Sequence, residues 1–211
     1  MLKINEIFYS IQGESSFSGM PCIFIRLTYC NLRCSYCDTE YSFYEGRDMS
    51  INQIIKEIKQ YKCNLVEVTG GEPLMQDGCI ELMQTLLDNN YNVMLETGGS
   101  LPVNKVPKEV IKIIDFKCPS SNMEKKNDWS IIKNLNKNDE VKFVIGNKED
   151  YEWSKKKINE YNLNNNTILF SPVHDVLNSK TLSEWILKDN LNVRFQVQLH
   201  KYIWSPETKG V

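Results

Sequence analysis

Three cysteines stand close together in the segment Cys30-Asn31-Leu32-Arg33-Cys34-Ser35-Tyr36-Cys37, separated by three and then two residues. A short loop can wrap three such thiolates around one inorganic centre. Thiolates suit iron–sulfur clusters, zinc and copper(I). A cubane cluster ordinarily takes four cysteines, so three would leave one iron without a protein ligand. An open metal position is where chemistry can happen. No second Cys-x-x-Cys pair and no histidine lies nearby in sequence to close a structural zinc site. Spacing alone leaves three readings open: an iron–sulfur cluster, a zinc-binding loop, or buried thiols without metal. Cys22, Cys63, Cys79 and Cys118 lack such spacing, and Cys22 and Cys79 fall in apolar patterns typical of core thiols.

Other residues could join this chemistry. Thr69-Gly70-Gly71-Glu72-Pro73 closes an apolar run, and paired glycines let a ligand approach the backbone closely. The same residues could equally make a plain tight turn. Arg26 stands inside the apolar run Cys22–Leu27. It either faces outward from an edge strand or points inward, where a fixed guanidinium grips a carboxylate. Gln12 and Glu14 of Ile11-Gln12-Gly13-Glu14 offer amide and carboxylate groups suited to the edge of an amino-pyrimidinone ring. Thr39 puts a hydroxyl two residues past the last cysteine of the loop.

The elements that must position these groups alternate. Apolar runs predict strands over Lys3–Tyr9, Cys22–Tyr29, Leu65–Thr69, Asn92–Glu96, Ile111–Phe116, Glu140–Ile145, Thr167–Phe170 and Val193–Val197. Ile51, Ile54, Ile55 and Ile58 share a helical face, with Ser50 and Gln53 forming a capping box. A second helix is expected over Gly78–Asn89 with Ile80, Met83, Leu86 and Leu87 inward, and others near Lys148–Tyr161 and Thr181–Lys188. The polar stretch Asn122–Asp139 reads as a surface excursion. Strand–helix alternation implies an α/β fold, a mainly parallel sheet with helices outside. The candidate residues follow strand ends, and in β/α folds sites gather at that edge of the sheet.

Composition narrows the classes. The 211 residues suit one domain and can bury a core without disulfide staples. The formal charge of −2 provides no field for a nucleic acid or a membrane surface. No apolar run spans a bilayer, and the first residues lack a signal-peptide pattern, so a cytoplasmic protein is expected. Seven cysteines, an odd number, fit thiols or ligands better than disulfides.

The thiol loop after a strand, with Thr69-Gly70-Gly71-Glu72-Pro73 one β/α unit later, resembles the radical S-adenosylmethionine (SAM) superfamily. The resemblance implies a partial (β/α) barrel of the radical SAM type over residues 1–211, in which the open iron chelates SAM. The series Gln12-Gly13-Glu14, Gly19, Pro21, Arg26, Cys30-Asn31-Leu32, Cys34, Cys37-Asp38-Thr39, Glu96-Thr97-Gly98-Gly99-Ser100 and Lys142-Phe143-Val144-Ile145 is similar, further, to the 7-carboxy-7-deazaguanine synthase family. That family converts 6-carboxy-5,6,7,8-tetrahydropterin to 7-carboxy-7-deazaguanine with loss of ammonia, a step toward queuosine and other deazapurines. The resemblance implies a 4Fe-4S cluster, SAM and Mg²⁺ as cofactors, a reductant such as flavodoxin or ferredoxin, and a homodimer.

Carried over position by position, the resemblance implies that Cys30, Cys34 and Cys37 hold the cluster and Thr39 the Mg²⁺. Ile11, Gln12, Gly13, Glu14, Arg26 and Thr69 would bind substrate, and His200 with the tail Lys201–Val211 would close over it. Tyr36, Cys37, Asp38 and Gly71 would contact SAM, joined by Asp115-Phe116-Lys117 and Ser171-Pro172-Val173-His174. Ser171 stands where relatives often have Gln, and Ser15-Ser16 departs from the usual glycine after Gln-Gly-Glu. In the tail, Tyr202, Ile203 and Trp204 are expected to pack against something. A glycyl-radical-enzyme activase shares the cysteine spacing, but its open site gives no reason for Gln12, Glu14, Arg26 and Thr39. A non-catalytic zinc or iron–sulfur module explains neither the glycine turn nor Arg26.

Overall fold

The computed structural model describes residues 1–211. Nine strands form one sheet: β1 (Leu2–Ile11), β2 (Pro21–Leu27), β3 (Arg47–Met49), β4 (Leu65–Gly70), β5 (Asn92–Thr97), β6 (Ile111–Asp115), β7 (Glu140–Ile145), β8 (Thr167–Pro172) and β9 (Arg194–Phe195). Their spatial order is β3-β1-β2-β4-β5-β6-β7-β8-β9. The β3–β1–β2 edge is antiparallel, and every pairing from β2 to β9 is parallel. Four helices lie between strands: α1 (Ile51–Ile58), α2 (Gly78–Asp88), α3 (Lys148–Glu160) and α4 (Ser179–Lys188). A single turn, α5 (His200–Ile203), follows the last strand.

The sheet curls. Residues just after β1 touch residues at the far end of the sheet: the Ser15 N–H donates to Gln196 Oε1 at 2.8 Å, and the Leu199 N–H donates to Gly13 O at 2.9 Å. A flat sheet would hold these segments several strand spacings of ~4.8 Å apart. Strand alternation then sorts side chains into two cores. Ile23, Ile25, Val66, Val68, Leu95, Ile114, Phe143 and Phe170 face outward under the helices. Phe8, Cys22, Phe24, Leu65, Met94, Ile113 and Leu169 fill the floor of the barrel interior. Farther along the same inward faces the residues turn polar: Arg26, Thr69, Glu96, Asp115, Lys142 and Ser171 line an open cavity at the C-terminal strand ends.

Local chemistry explains the helix boundaries. Ser50 Oγ accepts from the Gln53 N–H, and the Gln53 side chain accepts from the Ser50 N–H at 2.8 Å, the reciprocal cap expected from the sequence. Asn147 caps α3 by accepting from the Asp150 N–H at 2.9 Å, and Asn178 starts α4 at Ser179, two residues before the expected Thr181.

Several expectations need correction. The inward stripe of α2 is Cys79, Leu82, Met83 and Leu86, while Ile80 and Leu87 are only partly buried. The stripe i, i+3, i+4, i+7 that begins at Cys79 keeps the expected Met83 and Leu86, and Ile80 and Leu87 pack at its margin. β3 carries no hydrophobic period and exists by pairing with Leu2–Ile4. The expected strand Val193–Val197 pairs only over Arg194–Phe195, because the chain then turns toward the cavity. The Asn122–Asp139 excursion is partly core: Trp129 stacks on Phe116 at 4.3 Å and on Tyr161 at 4.4 Å, and Ile131 is fully buried. At its end, Asp139 forms a buried ion pair with Lys112 at 2.9 Å.

Candidate active site

The cavity at the strand ends has a volume of about 730 Å³. Cys30, Cys34 and Cys37 all line it as free, half-buried thiols, and the other four cysteines do not. Cys22, Cys79 and Cys118 are fully buried. No three His, Cys, Asp or Glu side chains converge closely enough to hold a single metal ion. Three separate thiols facing one open space suit a cluster, whose irons occupy more volume than one zinc. Burial pushes all three thiols up, Cys34 to about 11, with Lys117 pulling the other way. Free, they stay protonated at neutral pH; a bound metal removes the proton.

The thiol loop is held from several directions. The Ser35 N–H donates to Ser121 O at 3.1 Å, its hydroxyl to Ser120 O at 2.6 Å, and Tyr36 OH to Val144 O at 3.4 Å. Buried Asp150 sets the first two contacts, since its carboxylate accepts from the Ser120 N–H (2.9 Å), the Ser120 hydroxyl and the Gly146 N–H (2.8 Å). Arg33 folds back, donating to Cys30 O at 2.8 Å, with its guanidinium 4.3 Å from the Phe43 ring.

The glycine turn packs directly on this loop. A Cβ on Gly71 would lie 2.3 Å from Tyr29 O and 2.7 Å from Cys30 Cβ. Glu72 does not face solvent or ligand. It is fully buried and accepts from Thr97 Oγ1 (2.8 and 2.9 Å), the Gly98 N–H (2.8 Å) and the Leu74 N–H (3.1 Å), so it pins the end of β4 to the end of β5.

The cavity wall is dense in charge. Lys142 pairs with Glu14, with Glu96 at 2.6 Å and with Asp115 at 3.7 Å, while Lys117 pairs with Asp115 at 3.0 Å. Gln12 Nε2 donates to Glu67 at 2.5 Å, and Gln12 Oε1 accepts from the Glu14 N–H at 3.1 Å. Burial opposes the charge on Lys142, but Glu14, Glu96 and Asp115 outweigh it and hold its pKa well above the usual range. Burial, then the Glu96 charge, pushes Glu67 up to about 8. Asp115 Oδ1 is buried with no donor, the kind of orphan that a bound polar ligand satisfies.

Of the residues singled out in the sequence, Ile11, Gln12, Gly13, Glu14, Arg26, Tyr36, Asp38, Thr39, Thr69, Gly71, Asp115, Lys117, Ser171, Val173, His174 and His200 line the cavity with the three cysteines. Phe116 and Pro172 do not. Phe116 is fully buried against Trp129, and Pro172 borders a smaller neighbouring pocket. The chain leaves β6 at Asp115 and the next two residues part, Phe116 turning into the core while Lys117 returns to the cavity, its Nζ 3.0 Å from Asp115. Arg26 points inward, on a strand flanked by β1 and β4 rather than at an edge. Thr39 Oγ1 donates to Asp38 at 2.9 Å. Glu67 and Gln198 line the cavity and Asp150 braces its thiol loop, none of them singled out in the sequence, and Glu96 and Lys142 gain a role in its charged wall. Glu67 and Lys142 carried the same signal as Arg26, a charge inside an apolar run.

The tail closes the cavity mouth. The His200 ring lies against Gly13, where a Cβ would clash with Nδ1 at 2.1 Å. Lys201 Nζ donates to Asp38 at 2.8 Å, and Gln198 Nε2 donates to Asp38 and Glu14 at 3.0 Å each. Tyr202 and Ile203, expected to pack, are 63% and 49% exposed.

This architecture has relatives. The Radical SAM superfamily model matches residues 24–119. In structure the chain resembles QueE from Escherichia coli, with a TM-score of 0.77 and 24% identity over 94% of each chain. The fold is thus the partial (β/α) barrel of the radical SAM enzymes, which use a 4Fe-4S cluster and SAM. In sequence the chain is 42% identical to a 7-carboxy-7-deazaguanine synthase of Koribacter versatilis, covering 100% of both chains. It is 46% identical to one of Chlorobaculum tepidum, covering 100% of this chain and 97% of that one. The chain belongs to the 7-carboxy-7-deazaguanine synthase family. No helix is long and apolar enough to cross a membrane.

Proposed function

We propose that residues 1–211 act as one radical SAM domain that converts 6-carboxy-5,6,7,8-tetrahydropterin to 7-carboxy-7-deazaguanine with loss of ammonia, in queuosine or related deazapurine synthesis. The observation that carries this reading is the continuity of one cavity, which joins three free thiols, an inward arginine and an acid-rich wall. Cys30, Cys34 and Cys37 would ligate the cluster, and the group they hold would supply the adenosyl radical from SAM. Asp38, Gly71, Lys117 and His174, which line the cavity, would bind SAM. Tyr36 crosses to β7 and steadies the loop.

Substrate would sit deeper. Arg26 offers its terminal nitrogens to a carboxylate. Thr39 would supply one oxygen to a Mg²⁺, a cation that often needs few protein ligands. Glu14, Glu67 and Glu96 favour a ring edge rich in N–H donors. Gln12 is already committed to Glu67 and the Glu14 N–H, so its role is to set the Gln-Gly-Glu turn. His200, Gln198 and Lys201 cover the site and keep water out. Thr69, the backbone of Ile11 and Gly13, and Ser171 complete the wall. The reading includes a cytoplasmic setting, a small reductant such as flavodoxin or ferredoxin, and a homodimer.

The test is an anaerobic incubation of the reconstituted protein with SAM, reductant, Mg²⁺ and carboxytetrahydropterin. The reading requires a deazaguanine carboxylate and ammonia. Turnover of another carboxylated heterocycle, with none of the pterin, would overturn the substrate assignment.

A further inference from the structure

β1 changes face partway along its length. Ile4 pairs with Leu27, and the next paired residue is Glu6, opposite Arg26, so Asn5 is an extra residue in the strand. In a regular strand Leu2, Ile4, Glu6 and Phe8 would share one face. Here Leu2 and Ile4 belong to the outer core and Phe8 to the inner one. A bulge does this, inserting one residue and inverting the alternation beyond it. Asn5 is itself anchored, since its Nδ2 donates to Glu45 O at 2.9 Å. The consequence is that Glu6 is delivered to the side of the sheet that carries Arg26.

One oxygen of Glu6 then serves two partners. Glu6 Oε1 accepts from Arg26 Nε at 2.8 Å and from Tyr41 OH at 2.8 Å. Both charged side chains are shielded, 20% exposed for Glu6 and 17% for Arg26. The guanidinium carbon lies 5.8 Å from the Phe8 ring centre and 6.0 Å from that of Tyr41. Because Glu6 takes Nε, the two terminal nitrogens of Arg26 keep their fork free for a carboxylate. Tyr41 lies in the 3-10 turn Glu40–Phe43, which begins directly after Thr39. The tail rests on the same post, with Lys209 Nζ 4.2 Å over the Tyr41 ring.

We propose that Glu6 is a positioning residue that locks Arg26 and the Thr39 turn in one fixed relation, so that both address the same carboxylate of the ligand. The proposal rests on the pterin reading above. Arg26 would hold that carboxylate directly, and Thr39 would hold it through the cation. Without Glu6 the guanidinium can rotate about its last side-chain bonds and the turn loses its link to β1. The loss falls on recognition of the carboxylate, not on the ring or on SAM.

The experiment compares binding of two stable oxidised ligands, 6-carboxypterin and unsubstituted pterin, to the reconstituted holoenzyme with SAM and Mg²⁺, followed by pterin fluorescence. The proteins are wild type, Glu6→Gln, Tyr41→Phe and the double variant. Wild type is expected to prefer the carboxylated ligand, and Glu6→Gln to lose that preference by about tenfold, the worth of one charge-assisted contact. Tyr41→Phe should shift the ratio in the same direction by less, and the double variant should be no worse than Glu6→Gln alone. SAM affinity should not change. Equal weakening of both pterins, or an unchanged ratio, would overturn the role of Glu6. A wild type that binds neither pterin would instead overturn the pterin reading itself. If Glu6→Gln does not fold, Tyr41→Phe, which removes a single hydrogen bond, decides the matter in the same assay.

Discussion

Glu67→Gln should make the protein more stable above neutrality and flatten its response to pH. Glu67 is buried on β4 at the level of Phe24 and Met94, with which it pairs in register. Its one protein donor is the Gln12 amide, and Glu96 and Glu14 add negative charge nearby. Burial and those charges push it up to about 8, against an ordinary value of 4.5. A carboxyl whose folded pKa is raised binds more protons in the native state than in the unfolded one. Stability is therefore lost as pH rises from the unfolded pKa through the folded one, with a slope of up to about 1.4 kcal/mol per pH unit. Across that window the loss reaches a few kcal/mol. The glutamine keeps an acceptor for Gln12 Nε2 and cannot ionise. Urea unfolding of both proteins, cluster-free, at pH 5, 6.5 and 8 measures the difference. The variant should gain steadily on wild type as pH rises. A difference that stays constant with pH would refute the reasoning.

Lys142→Met removes the cation shared by Glu14, Glu96 and Asp115 and should cost about 3–5 kcal/mol, the usual loss when one side of a buried pair is deleted. Its deficit should shrink as pH falls, because burial already holds Glu96 above its ordinary value and the loss of Lys142 favours its neutral form further; thermal melts at two pH values check this. Gly71→Ala should distort the cysteine loop, because its Cβ would meet Tyr29 O at 2.3 Å; iron retention after desalting should fall while far-UV circular dichroism stays native.

The sequence carried much of this site because charged or thiol residues in apolar surroundings need a reason. Arg26 inside Cys22–Leu27 and the three cysteines after it were legible as chemistry. So was the cap of α1, since Ser50 and Gln53 act within one turn. Features that depend on distant partners were not. Asn5 looks like any strand residue, yet its bulge decides which way Glu6 points. β3 forms only because β1 offers an unpaired edge. Asp150 reads as a first-turn helix acid, which it is, but its carboxylate also holds the loop that supports Ser35. Resemblance groups Asp115-Phe116-Lys117 as one segment, whereas β6 ends at Asp115, after which Phe116 buries itself against Trp129 and Lys117 returns to the cavity.

The central claim is that Cys30, Cys34 and Cys37 alone hold a cluster with one iron open to SAM. Iron and sulfide content and reductive SAM cleavage, measured on anaerobically reconstituted protein and on seven single cysteine-to-alanine variants, test it most directly. The account predicts about four irons per chain in wild type, loss of SAM cleavage in the Cys30, Cys34 and Cys37 variants, and retained cleavage in the Cys22, Cys63, Cys79 and Cys118 variants. Tightly bound zinc in place of iron, or cleavage that survives Cys34→Ala, would contradict it.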